Sequence, residues 1–266
     1  MIALASVLTL TTLGVASDLP FKPPELRPLE PPPPSEFELS LKVDAPLLAG
    51  IAAAYGSAIL INRARSDPEP TGDSAQVWSL DQFAIGRNSP DQDKVSTILQ
   101  DVLVIGAPLG LALSEWNGSP KSLTPAIIVG ESILASSALN QLTKSILRRP
   151  RPFTYANGSA SGEADRSFYS GHTTMAFAAV TSSLIMLREL HPDSSAPLWL
   201  GALGLAGATT VGALRVTSGQ HFPTDVLVGA LTGIAVGWAV PMLHKKAPNL
   251  KLSVGASGVA IGGTFY

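Results

Sequence analysis

The chain of 266 residues contains no cysteine. That excludes disulfides, thiolate metal centres and cysteine nucleophiles, and it leaves the redox compartment open. Charge is scarce. Only 14% of residues are Asp, Glu, Lys or Arg, against about 25% in ordinary soluble domains. The formal net charge is −2, so no general basic surface is available for nucleic acid. Aromatic residues make up only 6% of the chain, while 45% of it is hydrophobic. The apolar character therefore comes from Leu, Ile, Val and Ala, the residues of closely packed or lipid-facing helices.

These residues are concentrated in stretches near 43–62, 98–115, 123–141, 172–190, 197–216 and 224–243. Each approaches the ~20 residues that cross a bilayer as a helix. Their glycine and alanine content suits close helix packing in lipid. The expected fold class is all-α, a membrane-embedded bundle of about six helices. The alternative is a soluble helical enzyme with a large core. Asp44, Asp101, Pro108, Glu131 and Asn140 weaken individual stretches as spans.

Residues 1–17 end in Gly14, Ala16 and Ser17 after an apolar run, as a secretory signal does, although no Lys or Arg precedes the run. The other reading is an uncleaved N-terminal anchor. Residues 18–42 are a proline-rich linker containing Pro31 to Pro34. The expected helical domain covers 43–246. Within the polar connection 66–97, Trp78 to Ile85 reads as a short surface or interfacial helix. The Gly/Ser-rich tail 247–266 reads as a hairpin or a loose extended end.

Three polar clusters interrupt this apolar pattern at expected helix ends: Lys144 to Pro152, Ser170-Gly171-His172, and Arg215 to Asp225. Pro223 suits the first turn of a helix. His221 then precedes that turn and Asp225 lies inside it, so the four-residue separation brings them together. The expectation is that Asp225 accepts the Nδ1–H of His221 and leaves Nε2 free as a nucleophile. Ser170 and Gly171 open a helix whose free N–H groups form an anion site, and glycine permits close backbone approach. His172 in the same turn suits general acid–base chemistry. Lys144, Arg151 and Arg215 can neutralise a phosphoryl group, arginine with its planar fork. No spacing of acidic and histidine residues marks a metal site, and no cofactor is expected.

Together the clusters resemble the type 2 phosphatidic acid phosphatase (PAP2) superfamily, whose pattern is Lys-x6-Arg-Pro, Pro-Ser-Gly-His and Ser-Arg-x5-His-x3-Asp. Lys144, Arg151 and Pro152 match the first part. Ser170, Gly171 and His172 match the second, with Tyr169 in place of proline. Arg215, His221 and Asp225 match the third, with Leu214 in place of serine. The resemblance implies His221 as nucleophile, His172 as acid and base, and Asp225 as orienting partner. It implies Lys144, Arg151, Ser170, Gly171 and Arg215 as phosphate-binding residues. The implied activity is metal-independent hydrolysis of a lipid phosphate or diphosphate, such as phosphatidic acid, a phosphatidylglycerol phosphate or a polyprenyl diphosphate. The implied partners are that lipid and the membrane.

Competing readings are a soluble exported acid phosphatase, a vanadate-dependent haloperoxidase and a non-catalytic lipid-phosphate binding or transport protein. Oligomeric state is open. Arg148 and Arg149 read as a flanking or headgroup-contacting pair. His191 and His244 read as ordinary loop residues. Glu131, costly inside lipid, is either functional or held by a structural hydrogen bond. The resemblance also implies a site facing the periplasm of a bacterial inner membrane, or a soluble periplasmic protein. A cleaved signal followed by six crossings would place the site inside instead. We therefore expect the signal to stay as a span or one stretch to fail to cross, and 43–62 is the candidate for the latter.

Overall fold

The computed structural model describes residues 37–64, 73–157 and 164–246, together with the backbone of 251–255 and 258–262. Six long helices dominate it: α1 (Leu41–Ala64), α3 (Pro90–Glu115), α4 (Thr124–Ile146), α6 (Gly171–Leu190), α7 (Ala196–Thr217) and α8 (Pro223–His244). Two single-turn helices, α2 (Ser79–Gln82) and α5 (Thr154–Asn157), lie in connections. Strands β1 (Lys251–Gly255) and β2 (Gly258–Gly262) pair antiparallel as a hairpin, with Val254 opposite Val259. The six expected stretches correspond to the six long helices. The largest difference is at α3, which starts at Pro90 behind Ser89. Its polar first two turns hid it from a hydropathy reading.

Proline occupies the first turn of α3, α4, α7 and α8, where the missing N–H would have no helical partner. Gly219 ends the α7 segment with φ +77°, and an added Cβ would lie 1.7 Å from the carbonyl oxygen of Arg87. Both the left-handed backbone and the space demand glycine there.

Helix α6 is central and packs against α3, α4, α7 and α8. Its buried face is made of Thr173, Thr174, Ala176, Ala178, Ala179 and Ser182, small enough for close contact. Gly229, Gly233 and Gly237 of α8 lie one turn apart on the side facing it. A Cβ on Gly233 would be 2.3 Å from the carbonyl oxygen of Thr174. This small-residue seam lets two backbones touch.

Polar and apolar residues are arranged the opposite way from a water-soluble core. Asn140, Ser132, Ser136, Ser182, Lys144 and Arg215 are buried, whereas Leu60, Leu113, Trp199, Leu203, Leu231 and Trp238 are exposed. Five helices (α1, α3, α7, α8, and α4 with the turn before it) are long and apolar enough to cross a membrane. An apolar outer surface on such helices is what a bilayer requires, and the chain is a membrane protein. The stretch 43–62, the candidate for failing to cross, is long and apolar enough to do so. α1 meets the measure, and α6, enclosed by four neighbours, is the long helix that does not. Enclosure explains this, because a helix shielded from lipid can carry hydroxyls on most faces.

The seam gives a paired prediction. Gly233→Val should lower stability in detergent by about 1–3 kcal/mol through overpacking. Gly50→Ala, where an added Cβ meets nothing within 4 Å, should be neutral or stabilising by about 0.5–1 kcal/mol. Thermal unfolding of the two variants checks this.

Candidate active site

The end of α4, the start of α6, the end of α7 and the start of α8 meet at one end of the bundle, with the connections 84–89, 147–155, 164–170 and 218–222 woven over them. The weave is made of backbone hydrogen bonds. Arg151 N–H donates to Ala164 (2.7 Å), Ser167 N–H to Arg149 (2.9 Å), Phe153 N–H to Gly219 (3.1 Å) and Ser170 N–H to Asp225 (3.1 Å). Gln220 and His221 both donate to the Arg215 carbonyl at 3.1 Å. Residues far apart in sequence are thereby held in one layer.

All the sequence-predicted site residues lie in this layer, and all are buried except His172, which is half-buried. Exposure is 8% for Lys144, 7% for Arg151, 4% for Arg215, 1% for His221 and zero for Ser170 and Asp225. The charges of Lys144, Arg151 and Arg215 act on both His172 and His221. Burial first, then those three cations and His172, hold the His221 imidazole well below its ordinary value of 6.5. It is neutral at physiological pH, with a lone pair available.

The tautomer of His221 is set differently from the expectation. Its Nδ1–H donates to the backbone carbonyl of Ser167 at 2.7 Å. Asp225 Oδ2 stands 3.9 Å from that nitrogen, too far for a hydrogen bond. Helical spacing brought the pair close but could not foresee that a carbonyl from residue 167 would take the proton. Asp225 instead accepts from Ser167 Oγ at 2.5 Å, from Phe222 N–H at 2.9 Å and from Arg149 Nη1 at 2.5 Å. It is thereby linked to His221 through Ser167, whose hydroxyl it accepts and whose carbonyl takes the ring proton.

Ser170 precedes the first residue of α6, but its hydroxyl bonds Thr173 Oγ1 at 2.9 Å and caps no N–H. Gly171 is required by packing as well. A Cβ there would fall 2.6 Å from Asn140 Oδ1, and Asn140 Nδ2 donates to the Tyr169 carbonyl at 2.7 Å. That bond also accounts for an amide inside an apolar helix. His172 Nε2 lies 3.1 Å from Thr97 Oγ1, whose own hydrogen goes to the Asp93 carbonyl. Arg151 Nη1 donates to Gln220 Oε1 at 2.6 Å. Arg215 Nη1 pairs with Asp93 and reaches Ser96 Oγ at 3.3 Å. Arg215 Nε is buried without a hydrogen-bond partner among the described residues.

Several participants escaped the sequence reading. Arg149 is no flank residue. It pairs with Asp225 and with Asp81 Oδ2 (2.7 Å), bonds Thr224 Oγ1, and lies 4.1 Å over the Phe222 ring. Arg148 pairs with Asp165. Asp81, in the short helix expected to be merely superficial, is buried and also receives Thr224 N–H and Oγ1–H. Asp93, Ser96 and Thr97 sit in the polar start of α3. No motif marked any of these. The one available signal was a cluster of acids and hydroxyls before an apolar run. His191 and His244 are also corrected. His191 Nε2 pairs with Glu115 at 2.9 Å, and His244 is buried against Asp44 and Glu131 at the far end of the bundle.

The model of the PAP2 superfamily matches residues 125–248, which contain every predicted site residue. This stretch is similar to the PAP2 superfamily. A lipid A 1-phosphatase of Porphyromonas gingivalis is 32% identical, over 40% of this chain and 22% of its own length. An undecaprenyl-diphosphatase of Sulfolobus acidocaldarius is 26% identical, over 46% of this chain and 56% of its own. The chain thus spans about a fifth and just over half of these two relatives. A solved transmembrane PAP2 type phosphatidylglycerolphosphate phosphatase from Bacillus subtilis is 22% identical with TM-score 0.45, covering 71% of this chain and 93% of that one.

Two measurements test the electrostatics of this site. The His221 resonances of histidine-labelled protein should titrate below pH 6.5, and Arg151→Gln should move that titration upward by removing one of the repelling cations. Arg149→Ala should cost about 3 kcal/mol of stability in thermal unfolding, because it strands two buried carboxylates. Arg149→Lys should rescue this poorly, since one ammonium cannot reproduce the fork.

Proposed function

We propose that the chain is a phosphatase that releases phosphate from a lipid phosphate or diphosphate through a phosphohistidine on His221. The observation that carries this reading is the burial of Lys144, Arg151 and Arg215 around two imidazoles, with an unsatisfied guanidinium N–H on Arg215. Three buried cations gathered around two imidazoles suit a multiply charged anion.

In this reading the cations bind the non-bridging phosphoryl oxygens and spread the transition-state charge, the task a metal performs in other phosphoryl-transfer sites. Nε2 of His221 attacks phosphorus as the bond to the leaving oxygen breaks, and His172 supplies the proton that oxygen takes up. The Nδ1–H bond to Ser167 stabilises the charge gained by the ring. His172 then accepts a proton from water, whose oxygen attacks phosphorus and breaks the P–N bond, releasing phosphate.

The apolar outer surface favours a lipid substrate over a soluble ester, and the two relatives are named for a lipid A phosphate and a polyprenyl diphosphate. Phosphatidic acid, phosphatidylglycerol phosphate and polyprenyl diphosphate fit this class. We also propose that the site faces the periplasm of a bacterial inner membrane. Phe37 bridges Lys245, and Glu38 N–H donates to the His244 carbonyl, so α1 begins where α8 ends, opposite the site. An outward site then requires residues 37 and 245 to be inside, and a leader cleaved at residue 17 would contradict it. That leader lies outside the described residues.

Purified protein should release phosphate from a lipid-phosphate panel in EDTA. His221→Ala should lower kcat on the order of 10⁴-fold or more. His172→Ala should accumulate an acid-labile, base-stable phosphoenzyme from ³²P-labelled substrate. Full activity of His221→Ala, or binding of lipid phosphate without turnover by the unmodified protein, overturns the reading. A reporter fused after Lys246 should be active only in the cytoplasm.

A further inference from the structure

At the end of the bundle opposite the phosphate site, three side chains from three helices converge. Asp44 is in the first turn of α1, Glu131 in the second turn of α4, and His244 is the last residue of α8. One donor atom from each lies within 4.8 Å of the other two. His244 and Glu131 are 2% and 6% exposed. The Asp44 side chain, 18% exposed, opens the cluster toward solvent. Asp225 and His244 are 19 residues apart on α8, roughly 28 Å along the helix.

The hydrogen bonding at this cluster is incomplete. His244 Nδ1–H donates to the Val240 carbonyl at 2.8 Å. That fixes the ring and directs Nε2 between two carboxylates, with Asp44 Oδ1 at 2.9 Å and Glu131 Oε2 at 3.1 Å. A proton on Nε2 can serve only one of them, and Glu131 Oε2 is buried without a hydrogen bond among the described residues. Imidazolium also brings one positive charge against two negative ones. A neutral imidazole with a divalent cation satisfies all three groups and closes the charge balance.

We propose that Asp44, Glu131 and His244 form a binding site for a divalent first-row metal ion, with zinc the best fit. One imidazole nitrogen and two carboxylate oxygens suit zinc, and a fourth position remains toward solvent. Tetrahedral coordination at zinc bond lengths sets ligand atoms about 3.3 Å apart, close to the spacing found. The carbonyl bond to Nδ1 is the outer-sphere support that metal-bound histidines ordinarily have. The ion would clamp α1 to α4 and α8 and would take no part in phosphate chemistry.

The test uses the full chain in detergent, stripped with a chelator, desalted and given ZnCl₂ or MnCl₂ alone. The expected result is one Zn²⁺ retained per chain by elemental analysis. An apparent Tm rise of about 5–10 °C is expected at zinc concentrations a hundredfold above Kd. Asp44→Asn, at the exposed ligand, should weaken zinc binding at least tenfold and remove the Tm shift, and His244→Gln should do the same. His221→Ala should retain the ion. The proposal is overturned if the chain retains no stoichiometric metal, if Asp44→Asn binds zinc as the unmodified chain does, or if His221→Ala loses the ion. Metal content and Tm are read without turnover, so failure here leaves the phosphatase reading untouched, and loss of activity in His221→Ala says nothing about this site.

Discussion

The ion pair between half-buried Arg149 and buried Asp225 holds the cation-rich end of this molecule together. Asp225 has no exposed surface, and an ionised carboxylate there is tenable only with full compensation. Arg149 supplies the charge, while Ser167 and Phe222 N–H supply the remaining hydrogen bonds. Each partner belongs to a different segment. The pair therefore ties the connection after α4, the connection before α6 and the start of α8 into one unit. His221 depends on it indirectly, because the carbonyl that takes its Nδ1–H belongs to Ser167.

The layer built on that pair solves a difficult electrostatic problem. Three cations and two imidazoles are brought together where solvent is largely excluded, and each repels the others. Arg215 is offset by Asp93 and Arg151 is held by Gln220. Burial and the positive potential together hold the His221 imidazole well below its ordinary value. A surface site with the same residues would be screened by water, and its pKa shift would not be comparable.

The bundle serves this layer by keeping its helices close. The Gly229-Gly233-Gly237 seam lets α8 lie against the backbone of α6, so the first turns of these helices, carrying Asp225 and His172, begin side by side. Polar groups collect inside and leucines outside, the distribution a bilayer favours. The two ends of the bundle then differ in kind. One gathers cations, and the other gathers two carboxylates and a histidine.

The sequence alone determined the elements and singled out the candidate site residues. Six apolar stretches became six helices because helix length and hydropathy are local properties, and first-turn prolines mark where several begin. The residues Lys144, Arg151, Ser170, Gly171, His172, Arg215, His221 and Asp225 were legible because their spacings recur as motifs at helix ends. Tertiary structure alone decided who bonds whom. The Ser167 carbonyl rather than Asp225 accepts the His221 Nδ1–H, Arg149 is a half-buried strut rather than a flank, and Asp44, Glu131 and His244 meet across 200 residues. Partnerships of this kind arise from helix packing over long sequence separations, and neither periodicity nor spacing along the chain encodes which distant side chains will share one buried space.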